Sequence, residues 1–600
     1  MTAGEFLLER LIEWGVSRIY GYPGDGINGL LAALEKFEDK IEFVQVRHEE
    51  MAAEMACAHA KFTGETGVCM ATSGPGAIHL LNGLYDAKDD HVPVVAIVGQ
   101  AATTALGSSY QQEVDLQTLF ADVCEYRYTI ASTSATRHVV DRAFRTAIGM
   151  RGVAAIIMPK DLQEEPYEEP ARKHNTAHSG TGYSAPMVIP RLPDLQRAAE
   201  ILNGAEKVAI LAGAGAKWAS EELIAVADKL QACCAKALLG KDVLPDDLPW
   251  VTGTIGLLGT RPSSDMMNGC DALLMVGTSF PYSEFLPVDR SVPAVQIDLD
   301  PRNIGLRYPT EVNLIGDAAD TLQALLPHLA QKTETSWRES LAKNKEEWLA
   351  IESDRAHEDA DPVNPQLLYH ELSKQLPDDA ILTGDAGTPT NWMARHVQVR
   401  KNMKISLSGS LATMGSAVPY AIAAKFAFPD RLVVALPGDG AMQMNGINEL
   451  ITVYKYWKKW SDPRIVFFVL NNADLNQVTW EERILSGSPR NMDTQPLPDF
   501  PYARFAESLG FTGIRIERPD QIEEAWHRAF AADRPVVVEA IADGNVATLP
   551  PHISREQAMH FLRALRKGDS EERGIIAQSF KQMIAGVIPH KMEERPKKGR

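Results

Sequence analysis

Two periods of apolar residues alternate along the chain. Runs such as EFVQVR (42–47), VPVVAIVG (92–99), KVAILAGAG (207–215), AVQIDLDP (294–301), RLVVAL (431–436), RIVFFVL (464–470) and PVVVEAIAD (535–543) are short, nearly continuous and rich in β-branched residues. Strands buried on both faces of a parallel sheet read this way. Between them lie stretches with a helical period: 3–15, from 27, from about 50, WASEELIAVADKLQ, a charged stretch over 336–361, and NPQLLYHELSKQL. This alternation predicts an α/β chain built of doubly wound parallel-sheet domains.

Breaks in polarity divide the pattern, and 600 residues suffice for about three domains. A Pro-, Gly- and Ser-rich stretch predicts a linker over 166–193, between a domain at 1–165 and a central domain at 194–332. The charged helix makes a second linker over 333–363, followed by a third domain at 364–549 and a tail at 550–600. A formal charge of −19 argues against a nucleic-acid partner, which needs a basic face. The six cysteines lie in apolar surroundings without CxxC spacing, which favours buried thiols over disulfides or a zinc site. The N-terminus reads as a domain's first helix and not a signal peptide, and the longest apolar runs are too short to span a bilayer. The expected location is the cytoplasm.

Candidate chemistry concentrates at 436–478. A strand ends in Gly438-Asp439-Gly440, a helix is predicted from Ala441 to about 460, and a second strand delivers Asn471-Asn472. Both polar clusters sit at strand exits, where ligands bind in open parallel sheets. Glycines let backbone amides approach a phosphate, while Asp439 and Asn472 offer hard oxygens suited to magnesium or calcium. A Gly-Asp-Gly turn alone is a weak signal, but joined to Asn-Asn one βα unit later it resembles the metal and diphosphate motif of thiamine diphosphate (ThDP) enzymes. That resemblance implies Mg²⁺ held by the side chains of Asp439 and Asn472 and by the backbone carbonyl of Asp474, with Gly438, Gly440 and Ala441 at the diphosphate. The segment 454–464 is longer than usual for the motif and reads as a loop insertion after the helix. An earlier Gly-Asp-Gly at 24–26 has no Asn pair and reads as a turn.

The run RHEEMAAEMACAHAKFTGETGVCMATSGPGAIHLLNGLYDA resembles the pyrimidine-binding domain of the same enzymes. Glu49 then matches the glutamate that bonds the cofactor's pyrimidine nitrogen, and Glu50 is a surface or capping residue. From the residues alone, these charges read as carboxylates favoured by a helix N-terminus. The turn with Gly74 would lie beside the cofactor, although a plain strand-to-helix turn explains it equally. Asp385-Ala386-Gly387-Thr388 is a strand-exit turn whose Thr388 would reach the diphosphate. In LSGSLATMGSAVPYAIAA, with Ala412 beside it, Met414 matches the wedge that bends the cofactor; a methionine there also reads as core. Gln112 keeps a polar substrate-loop position, while Gln111 replaces a phenylalanine or points to solvent.

The central domain resembles that of the FAD-binding pyruvate oxidases, implying an FAD site lined by Gly213, Gly215, Thr278, Asp298, Asp300 and Asp317. The alternative is a structural domain with a vacated site. Glu481 lies where pyruvate oxidases have an acidic residue near the substrate, whereas acetolactate synthases have an aromatic one nearby, and Trp480 precedes it. The resemblance, most like the bacterial pyruvate oxidases, implies ThDP- and Mg²⁺-dependent decarboxylation of a pyruvate-like 2-keto acid, with FAD-linked oxidation of the enamine to an acyl product. Glu49, Gln112 and Glu481 are its implied catalytic residues. An acetolactate synthase-like carboligase with non-redox FAD is the alternative; a noncatalytic regulatory subunit is disfavoured because Glu49, Asp439 and Asn472 are all present. Implied partners are the keto acid, a quinone or oxygen as electron acceptor, and further copies in a homodimer or homotetramer. In the tail, Ile575, Ile576, Phe580, Met583, Ile584, Val587 and Ile588 share one helical face. It reads as packing on the catalytic domain, with at most weak, salt-sensitive contact with the inner membrane face.

Overall fold

The computed structural model describes residues 1–548, 559–561 and 563–564. Their apolar runs form three six-stranded, wholly parallel sheets. The first contains β1 (Arg18–Gly21), β2 (Glu42–Gln45), β3 (Gly67–Ala71), β4 (Val94–Gln100), β5 (Tyr126–Thr129) and β6 (Val153–Pro159), in the order β2-β1-β3-β4-β6-β5. The second contains β7 (Val208–Ala212), β8 (Cys233–Lys236), β9 (Val251–Thr254), β10 (Ala272–Val276), β11 (Ala294–Asp298) and β12 (Val312–Ile315), ordered β12-β11-β10-β7-β8-β9. The third contains β13 (Ile381–Gly384), β14 (Lys404–Ser406), β15 (Val433–Leu436), β16 (Ile465–Asn471), β17 (Thr512–Ile516) and β18 (Val536–Ile541), ordered β14-β13-β15-β16-β18-β17. The third sheet thus repeats the first strand for strand. The second has the dinucleotide-binding arrangement, reversing direction between β7 and β10.

The first and third domains share one apolar core. Helix Glu49–Thr63 packs along helix Ala417–Ala427, and both are rich in buried alanines. A buried cation is fixed in this seam: Lys61 Nζ reaches Asp90 (2.6 Å), Tyr420 Oη (2.6 Å) and the Leu407 carbonyl (2.9 Å). Removing one partner of such a buried pair costs about 3–5 kcal/mol, because the other charge stays behind unpaired. All six cysteines are buried free thiols.

Three expectations need correction. The 454–464 segment is a loop only from 460 onward. Helix Ile447–Tyr456 continues into the turn Trp457–Lys459, because Tyr456 and Trp460 bury in the shared core. Tyr456 Oη there accepts a hydrogen bond from the Gln45 amide of β2 (2.8 Å). The charged linker helix stops at Ala356, short of 361, since Asn364 Nδ2 takes up the Arg355 and Glu358 carbonyls at 2.8 and 3.1 Å. The helix after Gly440 is interrupted by a wide π turn at Met442–Gly446. No helix among the described residues is long and apolar enough to cross a membrane. The tail's apolar face at 575–588 lies outside the described residues, but Phe561 stacks on Trp480 in a small cluster with Ile484 and Ala547.

Candidate active site

In the third sheet the strand order reverses between β13 and β15, and Asp385 and Asp439 exit from these two strands. Asp439 begins a helical turn on a Gly438 cap, and its oxygens accept from the Gly440 amide (2.8 Å) and the Asn472 amide (3.0 Å). Burial pushes its carboxyl up to about 7. Beside it, Asn472 Oδ1 is buried without a hydrogen-bond partner among the described residues. Ala473 follows in the left-handed region (φ 51°), a strain of the kind that clusters at functional sites. The Asp474 side chain turns away to Thr479 Oγ1 (2.8 Å), Asn476 Nδ2 (3.2 Å) and Arg490 Nε (3.0 Å), so only its backbone could face the same point. A buried carboxylate and an orphaned amide oxygen fit a hard divalent cation.

Asp385 is fully buried, and its two oxygens accept from the amides of Gly415 (2.8 Å) and Ala417 (2.9 Å). It therefore holds the loop that carries Met414; burial pushes its carboxyl up to about 7. In that loop Ala412 is left-handed (φ 53°) and Gly415 has φ 102°. Met414 is half-buried and lies outside the apolar clusters. A Cβ added to Gly440 would stand 3.7 Å from Met414 Sδ and 3.0 Å from Leu475, so the glycine keeps this cleft open. Thr388 is buried at the first position of helix Thr388–His396.

In the first domain, Glu49 opens its helix after the cap residue His48 and is 8% exposed. Its Oε2 lies 2.9 Å from His79 Nδ1, and the His48 and His79 rings stack at 4.4 Å. Gly74 (φ 63°) is required: a Cβ there would come within 2.8 Å of the Gln112 carbonyl. Gln112, itself left-handed (φ 63°), accepts from Ser73 Oγ (3.2 Å), while Gln111 is exposed. Glu50 is neither a cap nor a free surface residue. It accepts from Asn82 (2.6 Å) and from Asn445 of the third domain (3.3 Å), and Asn82 also donates to Thr413 in the Met414 loop (2.8 Å).

Helix Asn476–Glu481 separates two neighbours. Trp480 is 1% exposed and donates its indole N–H to the Gly544 carbonyl (3.0 Å). Glu481 is exposed and accepts from Gln477 (2.9 Å), whose own oxygen accepts from Asn391 (2.7 Å) in the helix after Asp385.

In the central domain, Gly213 and Gly215 leave β7 and Gly277-Thr278 leave β10, at the reversal point. Their backbones interlock: a Cβ on Gly213 would lie 2.4 Å from the Gly277 carbonyl oxygen, and one on Gly215 would lie 2.8 Å from the Gly277 Cα. Thr278 is buried. Asp298, at the end of β11, is buried and raised by that burial. Asp300 is engaged by Arg302 (2.8 Å), and Asp317 caps helix Ala318–Leu325 through the Ala319 amide (2.9 Å). The glycines fit the close approach of a dinucleotide; Asp298 accepts from the Asp300 amide (2.9 Å), and Asp300 and Asp317 likewise have local partners.

Sequence reasoning gave no role to His79, Asp385 or Asn445. Their partners stand far away along the chain, and no spacing encodes them.

Three family models match the chain: the N-terminal thiamine pyrophosphate-binding domain of thiamine pyrophosphate enzymes over residues 1–119, the central domain over 195–325, and the C-terminal thiamine pyrophosphate-binding domain over 385–540. The chain is 37% identical over 585 residues to YdaP of Bacillus subtilis, described only as a thiamine pyrophosphate-containing protein, covering 97% of this chain and 99% of that one. It is 30% identical to the pyruvate oxidase of Lactiplantibacillus plantarum over 553 residues, 91% and 89% of the two chains. It is also 30% identical to the acetolactate synthase isozyme 3 large subunit of Escherichia coli over 580 residues, 92% and 97%.

Proposed function

This chain belongs to the thiamine pyrophosphate enzymes, in the family of the pyruvate oxidases and acetolactate synthases, and we propose that within it the protein is an oxidase that decarboxylates a small 2-keto acid and passes electrons to FAD. The observation that carries the oxidase reading is the separation of Trp480 from Glu481. The aromatic that would suit a carboligase is turned into the core, and the carboxylate is left exposed.

On this reading Asp439, Asn472 and the Asp474 carbonyl hold Mg²⁺, and the amides after Gly438, at Gly440 and Ala441, meet the diphosphate with Thr388. Bound ThDP supplies an acidic carbon and an electron sink. Glu49 holds and returns a proton at the pyrimidine nitrogen, Met414 and Gly74 shape the cleft, and Gln112 and Glu481 orient the keto acid. Gly213, Gly215, Thr278 and Asp298 would hold FAD, with Asp300 and Asp317 setting the turns around that site. A quinone or oxygen is the proposed electron acceptor.

The identity to an acetolactate synthase equals that to a pyruvate oxidase, which supports a second reading, a carboligase with non-redox FAD. The visible spectrum of pure protein before and after anaerobic pyruvate separates the two. Yellow protein that bleaches is expected. Yellow protein that stays oxidised while forming acetolactate would replace the oxidase with the carboligase, and colourless protein would remove FAD. Larger and more polar 2-keto acids belong in the same assay, since Gln111, although exposed, stands where the resemblance places a phenylalanine.

A further inference from the structure

Away from the cofactor clefts, ligand atoms converge where the linker helix Ser336–Ala356 ends against helix Pro365–Gln375. His357, His370 and Glu371 each bring one ligand atom, and these lie within 4.8 Å of one another. His357 directly follows the linker helix, and its Nδ1 lies 2.7 Å from the Ser353 carbonyl oxygen. A carbonyl can only accept, so Nδ1 carries the proton and the Nε2 lone pair is free for another partner. Imidazoles that bind metals are fixed in this way, by a backbone carbonyl on the other ring nitrogen. The His357 and His370 rings meet edge to face at 5.5 Å. Burial and Lys374 lower the His370 pKa, against the neighbouring Glu371, which raises it. Glu371 is half-buried and pairs with Lys374 (2.8 Å), a partner that a bound cation would displace or share.

We propose that His357, His370 and Glu371 form a transition-metal site of the zinc class that clasps the linker helix to the third domain. Two imidazoles and one carboxylate, with His357 exposed to solvent, are the donor set of open zinc sites. Magnesium and calcium prefer oxygen donors throughout. The same linker helix is tied to the central domain, where Asn344 bonds Asp265 (2.7 Å) and Arg261 (3.2 Å). A metal at its far end therefore fixes the tether between the central and third domains. The fourth position is left to water, and the site is distinct from the one proposed for Mg²⁺.

The test uses full-length protein, stripped of metal and reloaded with ThDP and excess Mg²⁺, then titrated with Zn²⁺ against a chromophoric chelator. One tight equivalent per chain and a rise in melting temperature are expected. His357→Ala and, separately, His370→Gln should each weaken that equivalent at least about tenfold, since even outer-shell partners are worth about 10- to 100-fold. His79→Ala should leave it intact, because His48, Glu49 and His79 form the other candidate cluster. Absence of a tight equivalent, unchanged affinity in His357→Ala, or loss confined to His79→Ala overturns the proposal. His357 is exposed, so that variant decides the matter even if His370→Gln fails to fold.

Discussion

Glu49 Oε2 lies 2.9 Å from His79 Nδ1, and among the described residues the Glu49 carboxylate has no other hydrogen-bond partner. The group is thus steered by one side chain and otherwise left for a ligand. Glu49→Gln should lower turnover by about 10²- to 10⁴-fold, the usual worth of a positioned proton-transfer group. ThDP should still bind by fluorescence titration; unchanged turnover would remove the assignment. Glu50→Gln is expected to behave differently. Replacing an acceptor that serves Asn82 and Asn445 should cost about 1–3 kcal/mol of stability, with a smaller effect on turnover.

The orphaned Asn472 oxygen makes a prediction about metal. Asn472→Ala should raise the Mg²⁺ concentration needed for ThDP binding at least about tenfold, and a chelator should release ThDP from the native protein. ThDP retained in excess chelator would contradict the assigned ligands.

Asp385 is a positioning residue for the Met414 loop. Asn at this place keeps one acceptor but sets an NH₂ group against a backbone N–H. Asp385→Asn should therefore weaken ThDP binding by about 1–3 kcal/mol while the Mg²⁺ requirement at Asp439 persists. Equal loss of both would point to general unfolding.

Glu449 accepts from the Arg47 amide (2.8 Å) across the seam between the first and third domains, and burial pushes its carboxyl from 4.5 up to about 7. A carboxyl raised on folding contributes stability that is full below its unfolded pKa and lost as pH rises through the folded value. Each unit is worth about 1.4 kcal/mol. The melting temperature of the native protein minus that of Glu449→Gln should therefore be largest near pH 4.5, fall to pH 7 and level off above it. A flat difference would show that Glu449 is not held protonated.

Ile78, Leu106 and Tyr110, on the segments that carry His79 and Gln112, and Met444 and Val478, on the helices that follow Asp439 and Asn472, are exposed. Covering them with a second copy predicts a dimer as the smallest active species, with a tetramer as the expected form. Light scattering coupled to an activity assay checks this, and an active monomer would refute it.

The strands were legible because buried parallel strands read as apolar runs, and the pairing of Asp439 with Asn472 was legible because one βα unit sets its spacing. The Trp480 and Glu481 pair was ambiguous in sequence, since adjacent residues on a helix point about 100° apart and only packing tells which enters the core. Glu50 was misread for a different reason: its partners Asn82 and Asn445 stand 32 and 395 positions away. A helix start explains a carboxylate well enough locally that nothing prompts a search for distant amides. Only the start of 454–464 was misread: Ser461, Asp462 and Pro463 do lie in irregular backbone, while the docking of Tyr456 on Gln45, which keeps the preceding residues helical, is decided by the first domain.

That docking has a consequence for solubility. β2 is the outermost strand of the first sheet, and an uncovered outer strand offers its amides as a template for strands of other molecules. Tyr456 occupies the Gln45 amide, Lys455 holds the Gln45 side chain (2.6 Å), and Lys459 pairs with Glu42 (3.4 Å), so charge and bulk lie along that border. The segment that follows the helix after Asp439 thus lies as a guard rail along that edge.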